Sequence, residues 1–505
     1  MDRITDILLT DLRHLIADLG KGGGMISPSI YDTAQVLRMA PPAEDVWPAI
    51  NWLLEQQQPD GGWGNPSVPL ARDLSTLTAV LALQAHSQRK TTHAAIQAGL
   101  AFLRRQAHQW EHPLPDDLPV GIELLLPCLL EEAASMDLHL SHEPYASLVN
   151  LGNRRRRMIA QLPLQAGTTA VHSWEAFGTV PDPTLIDGSG GIGHSPAATA
   201  AWLRAAAGQP DLADACASAR HYLEQAAAAT GVNIPGVVPT AWPITRFEQS
   251  FTLYALVIAG LIDHPALQAV IKPQIADLAL ALRSSGLGYS DFFVADGDDT
   301  AVALGVLQAT GAKVDHGMLK QYQHDTHFCT YFGELQPSLS VTARAVHALR
   351  LMGIETNQPQ TYLIEHQQAD GRWSGDKWNG SWICTTCQIL IALNGSGQNR
   401  IIERGIQCLL DHQHLDGGWG TSGSANEETA YVVLTLRALR NQRMVPPVCE
   451  HALQRAEQWM RHEYRPFHQR GTKIWVAKET YRPERFARAI ELAATFPQAP
   501  VIEAD

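Results

Sequence analysis

The sequence predicts an all-α fold, and three observations carry the prediction. Most segments space their apolar residues at helical intervals and are rich in Ala, Leu, Gln and Arg; "IADLALALRSSG" at 275–286 is typical. Runs of alternating strand pattern are few. A turn motif recurs, as "QQPDGGWG" at 57–64, "QQADGRW" at 367–373 and "QHLDGGWG" at 413–420. Trp373 and Trp419 lie 46 residues apart, a spacing that suits one helical hairpin per repeat. In each copy the glycines permit a tight turn, the Asp can bond turn amides, and the Trp plugs the neighbouring repeat.

The elements follow in order. "MDRITDILLTDLRHLIADLG" reads as an acidic amphipathic helix ended by glycine, and neither as a signal peptide nor as a transit peptide. "KGGGMISPSI" at 21–30 separates it from a long helical block, and "NIPGVVPTAWPI" at 233–244 divides that block from a second of similar size. A chain of 505 residues, 45% apolar and 18% charged, is too long for one ordinary core. The net charge of −13 and the lack of a basic tract argue against a nucleic-acid partner. No apolar run has the length of a membrane span. Seven scattered cysteines, with one CxxC at Cys384 and Cys387, point to buried thiols and a reducing, cytoplasmic setting.

Several motifs are candidates for chemistry. "VADGDDTAVALG" at 294–305 places Asp296, Asp298 and Asp299 against an apolar stretch. The residues alone leave two readings: a helix N-terminus capped by carboxylates, or a carboxylic acid kept protonated by burial and neighbouring anions. In the second, the central Asp298 is best placed to hold the proton. A calcium loop lacks the required spacing. Asp116 and Asp117, near Glu111, are candidates to hold Mg²⁺ with phosphate oxygens. His172 is a candidate base or a hydrogen-bonded core histidine. "RRRR" at 154–157 reads as a phosphate contact or a solvated face, and "GSGGIG" at 188–193 lacks the residues of a phosphate loop. No DDxxD motif, the magnesium site of enzymes that ionise a prenyl diphosphate, is found.

Taken together, the motifs resemble those of the class II diterpene cyclases, particularly the short bacterial ones. "SPSIYDTAQV" at 27–36 resembles the family's S-x-YDTA-x-V, and "LPVGIELLLPCLLEEA" at 118–133 its PVGFE segment. "HSWEAFG" at 172–178 is similar to HSLEG, and "SPAATA" at 195–200 to SPS-x-TA. "DGDD" matches the D-x-D-D acid motif, "DKW" at 376–378 matches DKW, and "IWVAKETYR" at 474–482 resembles WIGK-x-LYR.

The resemblance implies a βγ pair of α/α barrels without the class I α domain. Residues 1–22 would be the first helix of β, 23–242 the inserted γ barrel, and 243–505 the remainder of β. It implies that geranylgeranyl diphosphate folds between the barrels and that Asp298 protonates its terminal alkene, with Asp296 and Asp299 polarising the acid. A bicyclic cation would form and lose a proton, and the diphosphate would be retained. Trp242, Tyr289, Phe292, Trp378 and Trp382 are candidates to face the cations. Lys377, Lys478 and Arg482 are candidates to hold the diphosphate, with Mg²⁺ as cofactor.

Two departures bear on the product. The family's PNV motif reads "PTA" here, placing Thr240 where an Asn partners the His of HSLEG, matched by His172. The Asn that steadies the acid is replaced by Thr342 in this register. Unrearranged labdane, halimane, clerodane and hydroxylated products all stay open. A drimenyl diphosphate synthase using farnesyl diphosphate, a squalene-hopene-type cyclase and a non-catalytic isoprenoid-binding module are the alternatives. A separate class I synthase or phosphatase is expected to consume the product.

Overall fold

The computed structural model describes residues 3–43, 45–86, 90–115, 117–334, 336–441, 448–463 and 471–497. Helices dominate. Among the described residues the only sheets are two short hairpins, Leu287–Gly288 with Ala295–Asp296 and Trp475–Val476 with Thr480–Tyr481.

Six helices of the C-terminal half close into a ring: Thr245–Ile258, Gly297–Ala309, Leu339–Leu351, Trp382–Leu393, Asn426–Asn441 and Glu484–Thr495. Each packs on the next and the last on the first. Intervening helices such as Asn357–Glu365 and Asn399–Asp411 pack outside, which makes an α/α barrel. A second ring forms from Ile30–Met39, Pro69–Ala85, Ile122–Ser135, the 3₁₀ segment Thr169–Ala176 and Pro196–Ala206. The fold class read from the sequence is therefore the one the molecule adopts. The N-terminal helix Arg3–Ala17 packs on Gln268–Ala281 and Glu484–Thr495, in the core of the C-terminal ring.

The recurrent motif is a staple. Trp63, Trp373 and Trp419 are fully buried, and each indole N–H donates to a carbonyl ten residues earlier: Leu53, Leu363 and Leu409. The side-chain amides of Gln57, Gln367 and Gln413 each donate to the turn and to a carbonyl of the second helix that follows, on Ala95, Ile401 and Ala452. Gly61, Gly371 and Gly417 have φ of 89°, 96° and 101°, a region that L side chains avoid. A Cβ at Gly371 would sit 2.4 Å from the carbonyl oxygen of Arg404, so glycine is needed on two counts.

The chain passes between the barrels at 20–25 and again at 242–248. Buried Glu248 ties these crossings, accepting from the amides of Gly20 and Met25 and from Arg485. Lys478 of the C-terminal half and Glu175 of the other ring form a fully buried ion pair at 2.6 Å. No described helix is long and apolar enough to cross a membrane.

Candidate active site

A cavity with about 810 Å³ of empty space opens between the two rings. One wall brings Val120, Thr169, His172, His194 and Ala241; the other brings the 289–299 hairpin, Thr330, Tyr331, Trp378 and the 475–481 hairpin.

The three aspartates stand at its floor. Asp296 is the N-cap of the helix Gly297–Ala309, accepting from the amides of Asp298 and Asp299 at 2.9 and 2.8 Å. Capping therefore accounts for one carboxylate, not three. Asp299 is raised well above the ordinary carboxyl range, by burial first and then by the charges of Asp296 and Asp298. Its side chain shares a hydrogen bond with Asp296, so a proton on Asp299 serves the Asp296 carboxylate.

Asp298 is also raised, and burial is the main cause. Its two carboxylate oxygens accept from Nη1 of Arg344 at 2.8 and 2.7 Å, which opposes the rise. Arg344 is 4% exposed, and its guanidinium lies 4.8 Å from the Phe251 ring and 5.7 Å from the Trp475 ring. Crowding by Asp296 and Asp299, the reason expected from the sequence, is thus secondary at Asp298; desolvation in competition with one buried cation sets its balance.

Thr342 does not steady the acid. Its hydroxyl donates to the Ser338 carbonyl at 2.7 Å and accepts from the Phe328 amide at 3.0 Å. Arg344, two residues further along the same helix, occupies the place beside Asp298. A single Arg between Ala343 and Ala345 was the available signal.

Of the five aromatic candidates, Tyr289 and Trp378 line the cavity. The Tyr289 hydroxyl pairs with that of Tyr481 at 2.8 Å, and the Trp378 indole donates to Thr330 at 2.6 Å. Trp242, Phe292 and Trp382 do not line it. Trp242 packs on Tyr222 and donates to the Gly22 carbonyl. Phe292 is 46% exposed beside Gly188. Trp382 lies under the Arg372 guanidinium at 4.5 Å. Phe247, Phe293, Tyr331, Trp475 and Tyr481 supply the remaining aromatic wall, and sequence reading had not singled them out.

His172 lines the cavity, and its Nδ1 lies 2.8 Å from the Gly193 carbonyl. A carbonyl only accepts, so Nδ1 carries the proton and Nε2 keeps its lone pair. Burial, with Lys478 nearby, pushes the imidazole down to about 3, so it is neutral at pH 7. Thr240 is fully buried beside Ala241 of the wall, and its hydroxyl has no hydrogen-bond partner among the described residues. His194, also unanticipated, has Nε2 2.5 Å from the Ser290 hydroxyl and Nδ1 3.1 Å from Asp187, out of line for a hydrogen bond.

The cations proposed for a diphosphate are already engaged. Lys377 pairs with Glu334 at 2.6 Å and Lys478 with Glu175 at 2.6 Å, where it also donates to Ser195. Arg482 is saturated by Glu427, Glu484 and Glu491. Such burial demands counter-ions; Glu334, Glu175 and Glu427 come from distant parts of the chain, Glu484 and Glu491 from nearby. Glu111 is exposed, Asp117 lies by the Gly375 turn, and Asp116 is outside the described residues. Among the described residues no group of three or more His, Cys, Asp or Glu side chains is set to hold a metal ion.

Comparison with known proteins fits this geometry. Residues 301–443 match the squalene-hopene cyclase C-terminal domain. The chain is 52% identical to (+)-kolavenyl diphosphate synthase of Herpetosiphon aurantiacus over 510 residues, covering 98% of each protein. This chain belongs to the class II diterpene cyclases. It is also 31% identical to an ent-copalyl diphosphate synthase of a Streptomyces species, over 92% of this chain and 91% of that one. Among solved structures, ent-copalyl diphosphate synthase from Streptomyces platensis superposes with a TM-score of 0.78 at 27% identity, covering 96% of this chain and 98% of that one. Members of this family are isomerase-type enzymes that form rings in a prenyl diphosphate.

Proposed function

We propose that this chain cyclises geranylgeranyl diphosphate to a bicyclic diterpenyl diphosphate, and that Asp298 is the acid. The observation that carries this reading is a buried carboxyl, raised by desolvation, facing an aromatic-walled cavity. A proton leaves Asp298 for the terminal alkene carbon; a C–H bond forms and a tertiary cation is left. The next two double bonds attack in turn and close a decalin. Asp296 and Asp299 share one proton and keep negative charge under the developing cation. Tyr289, Trp378 and the other ring faces stabilise the cations that follow. The free Nε2 lone pair of neutral His172 suits it to take the final proton.

The likeness to (+)-kolavenyl diphosphate synthase supports a rearranged, clerodane-type product, with hydride and methyl shifts before proton loss. We further propose that the barrels divide at 22 and 242, with 1–22 completing the C-terminal one. The described residues offer no preformed cage for Mg²⁺. The ion instead accompanies the diphosphate, with phosphate oxygens, waters and at most one or two carboxylates such as Asp117. Since the C–O bond to the diphosphate is never broken, a class I synthase or a phosphatase must consume the product. The enzyme would act in the cytoplasm.

Incubation with Mg²⁺ and, separately, geranylgeranyl diphosphate, farnesyl diphosphate or squalene tests the proposal. After dephosphorylation, mass spectrometry and NMR are expected to show a bicyclic C20 alcohol from the first only. A product from farnesyl diphosphate or squalene alone would replace the substrate assignment, and no product from any would leave the barrel pair without its proposed reaction.

A further inference from the structure

Arg344 lies in the stretch Leu339–Val346 of its helix, every residue of which is buried. Taking a guanidinium out of water costs several kcal/mol unless it gains close partners. Here Asp298 is the counter-ion, and both of its oxygens share one nitrogen, Nη1. Phe251 and Trp475 hold the guanidinium from the sides. A second, mostly apolar cavity of about 500 Å³ lies behind it, lined by Phe251, Tyr254, Gln388 and Tyr431. The Asp298–Arg344 pair thus stands between two cavities, with Asp298 facing the first and Arg344, charged at any working pH, facing the second.

Protonating an alkene makes two opposed demands on a carboxyl. It must hold a proton at neutral pH, which burial provides, and it must be a strong acid, which burial alone undoes. We propose that Arg344 is the positioning residue that sets the acid strength of Asp298, by pairing with the carboxylate left when the proton departs. The inference rests on Asp298 being the acid. In the step itself the Oδ–H bond breaks, the alkene C–H bond forms, and the carboxylate charge develops 2.7–2.8 Å from Nη1. Aromatic packing on two sides keeps Arg344 from following the charge into the cavity.

The groups facing this pair come from every surrounding element. Asp296 and Asp299 flank it from the same helix; Asp376 and Lys377 act from the DKW turn. Tyr254 and Tyr481 feel Asp298 and Arg344, and Tyr431 faces Arg344. Among them Arg344 makes the largest contribution that opposes the rise at Asp298.

The test is the pH profile of kcat for Arg344→Gln and Arg344→Lys beside Asp298→Asn, with geranylgeranyl diphosphate and Mg²⁺. Cyclisation requires protonated Asp298, so activity falls as pH rises through its pKa. Without the cation, that alkaline limb is expected to move up by roughly 1–3 pH units. The plateau is expected to drop by up to about tenfold per unit, because the acid is weaker. Arg344→Lys keeps the charge and is expected to restore the limb, at a reduced plateau. A merely structural Arg344 would lower the plateau and leave the limb where it is, and that result overturns the inference. If Arg344→Gln proves insoluble, Arg344→Lys alone decides it: a limb displaced by more than one unit contradicts a role carried by charge. An active Asp298→Asn would instead remove the acid assignment beneath it.

Discussion

Replacing Asp298 by Asn separates acid chemistry from structure more cleanly than any other single change. Asn has nearly the same shape and keeps an oxygen for Nη1 of Arg344, but it has no acidic proton. Positioned general acids contribute about 10²–10⁴-fold, and the neighbouring Asp296 and Asp299 carboxyls are engaged with each other, so the loss is expected to reach at least roughly 10³-fold in kcat. Stability should change much less. Stranding one member of a buried ion pair costs about 3–5 kcal/mol, yet the Asn oxygen still accepts from Arg344 and the cost of burying the carboxylate disappears. A net loss of about 1–2 kcal/mol follows, read as a small shift in thermal midpoint. The assay is single-turnover conversion of geranylgeranyl diphosphate, with the dephosphorylated products quantified by gas chromatography and mass spectrometry. A folded Asp298→Asn protein that keeps more than a tenth of wild-type turnover would refute the reasoning.

Other predictions concern the exit of the proton and the scaffold. His172→Ala is expected to change the product mixture more than the turnover, and an unchanged mixture by NMR would place the base elsewhere. Trp419→Ala removes a fully buried indole and its bond to the Leu409 carbonyl, and should cost about 3–5 kcal/mol in chemical denaturation; a loss under 1 kcal/mol would deny the staple its role. Burial lifts Asp73 from 3.8 to about 7 while its carboxylate accepts from the Trp110 indole. The fold therefore holds a proton that the unfolded chain releases above pH 4. That stabilisation is full below about pH 4 and fades as pH rises to 7, by about 4 kcal/mol. Asp73→Asn should lose this decline, and thermal melts from pH 4 to 8 equally steep in both proteins would contradict the assignment. Lys478→Met should lower stability and raise the pKa of His172, measured by NMR; a resonance that titrates unchanged would show that Lys478 does not act on it.

Much of the architecture was legible in the chain. Helical periodicity and the three Gln–Asp–Gly–Trp turns marked hairpins, because each turn uses local chemistry that spacing reveals. Closure of the rings was not legible, since it depends on contacts such as that between Thr245–Ile258 and Glu484–Thr495. The acid motif stood out because three carboxylates before an apolar helix need a reason. Arg344 stood out less, because an Arg flanked by alanines is a weak local signal and its partner is 46 residues away. The same distance effect misled the reading of Lys478 and Arg482: Glu175 and Glu427, which neutralise them, lie far off in sequence. Loop direction misled it at Phe292, where the neighbouring Phe293 turns into the cavity instead.

Cyclisation in deuterium oxide tests the central claim most directly. If a solvent-derived proton on Asp298 starts the reaction and the diphosphate stays, the product formed from geranylgeranyl diphosphate will carry solvent deuterium on the ring carbon that was the CH of the terminal alkene, and no inorganic diphosphate will be released. An unlabelled product, or diphosphate released in step with turnover, would contradict it.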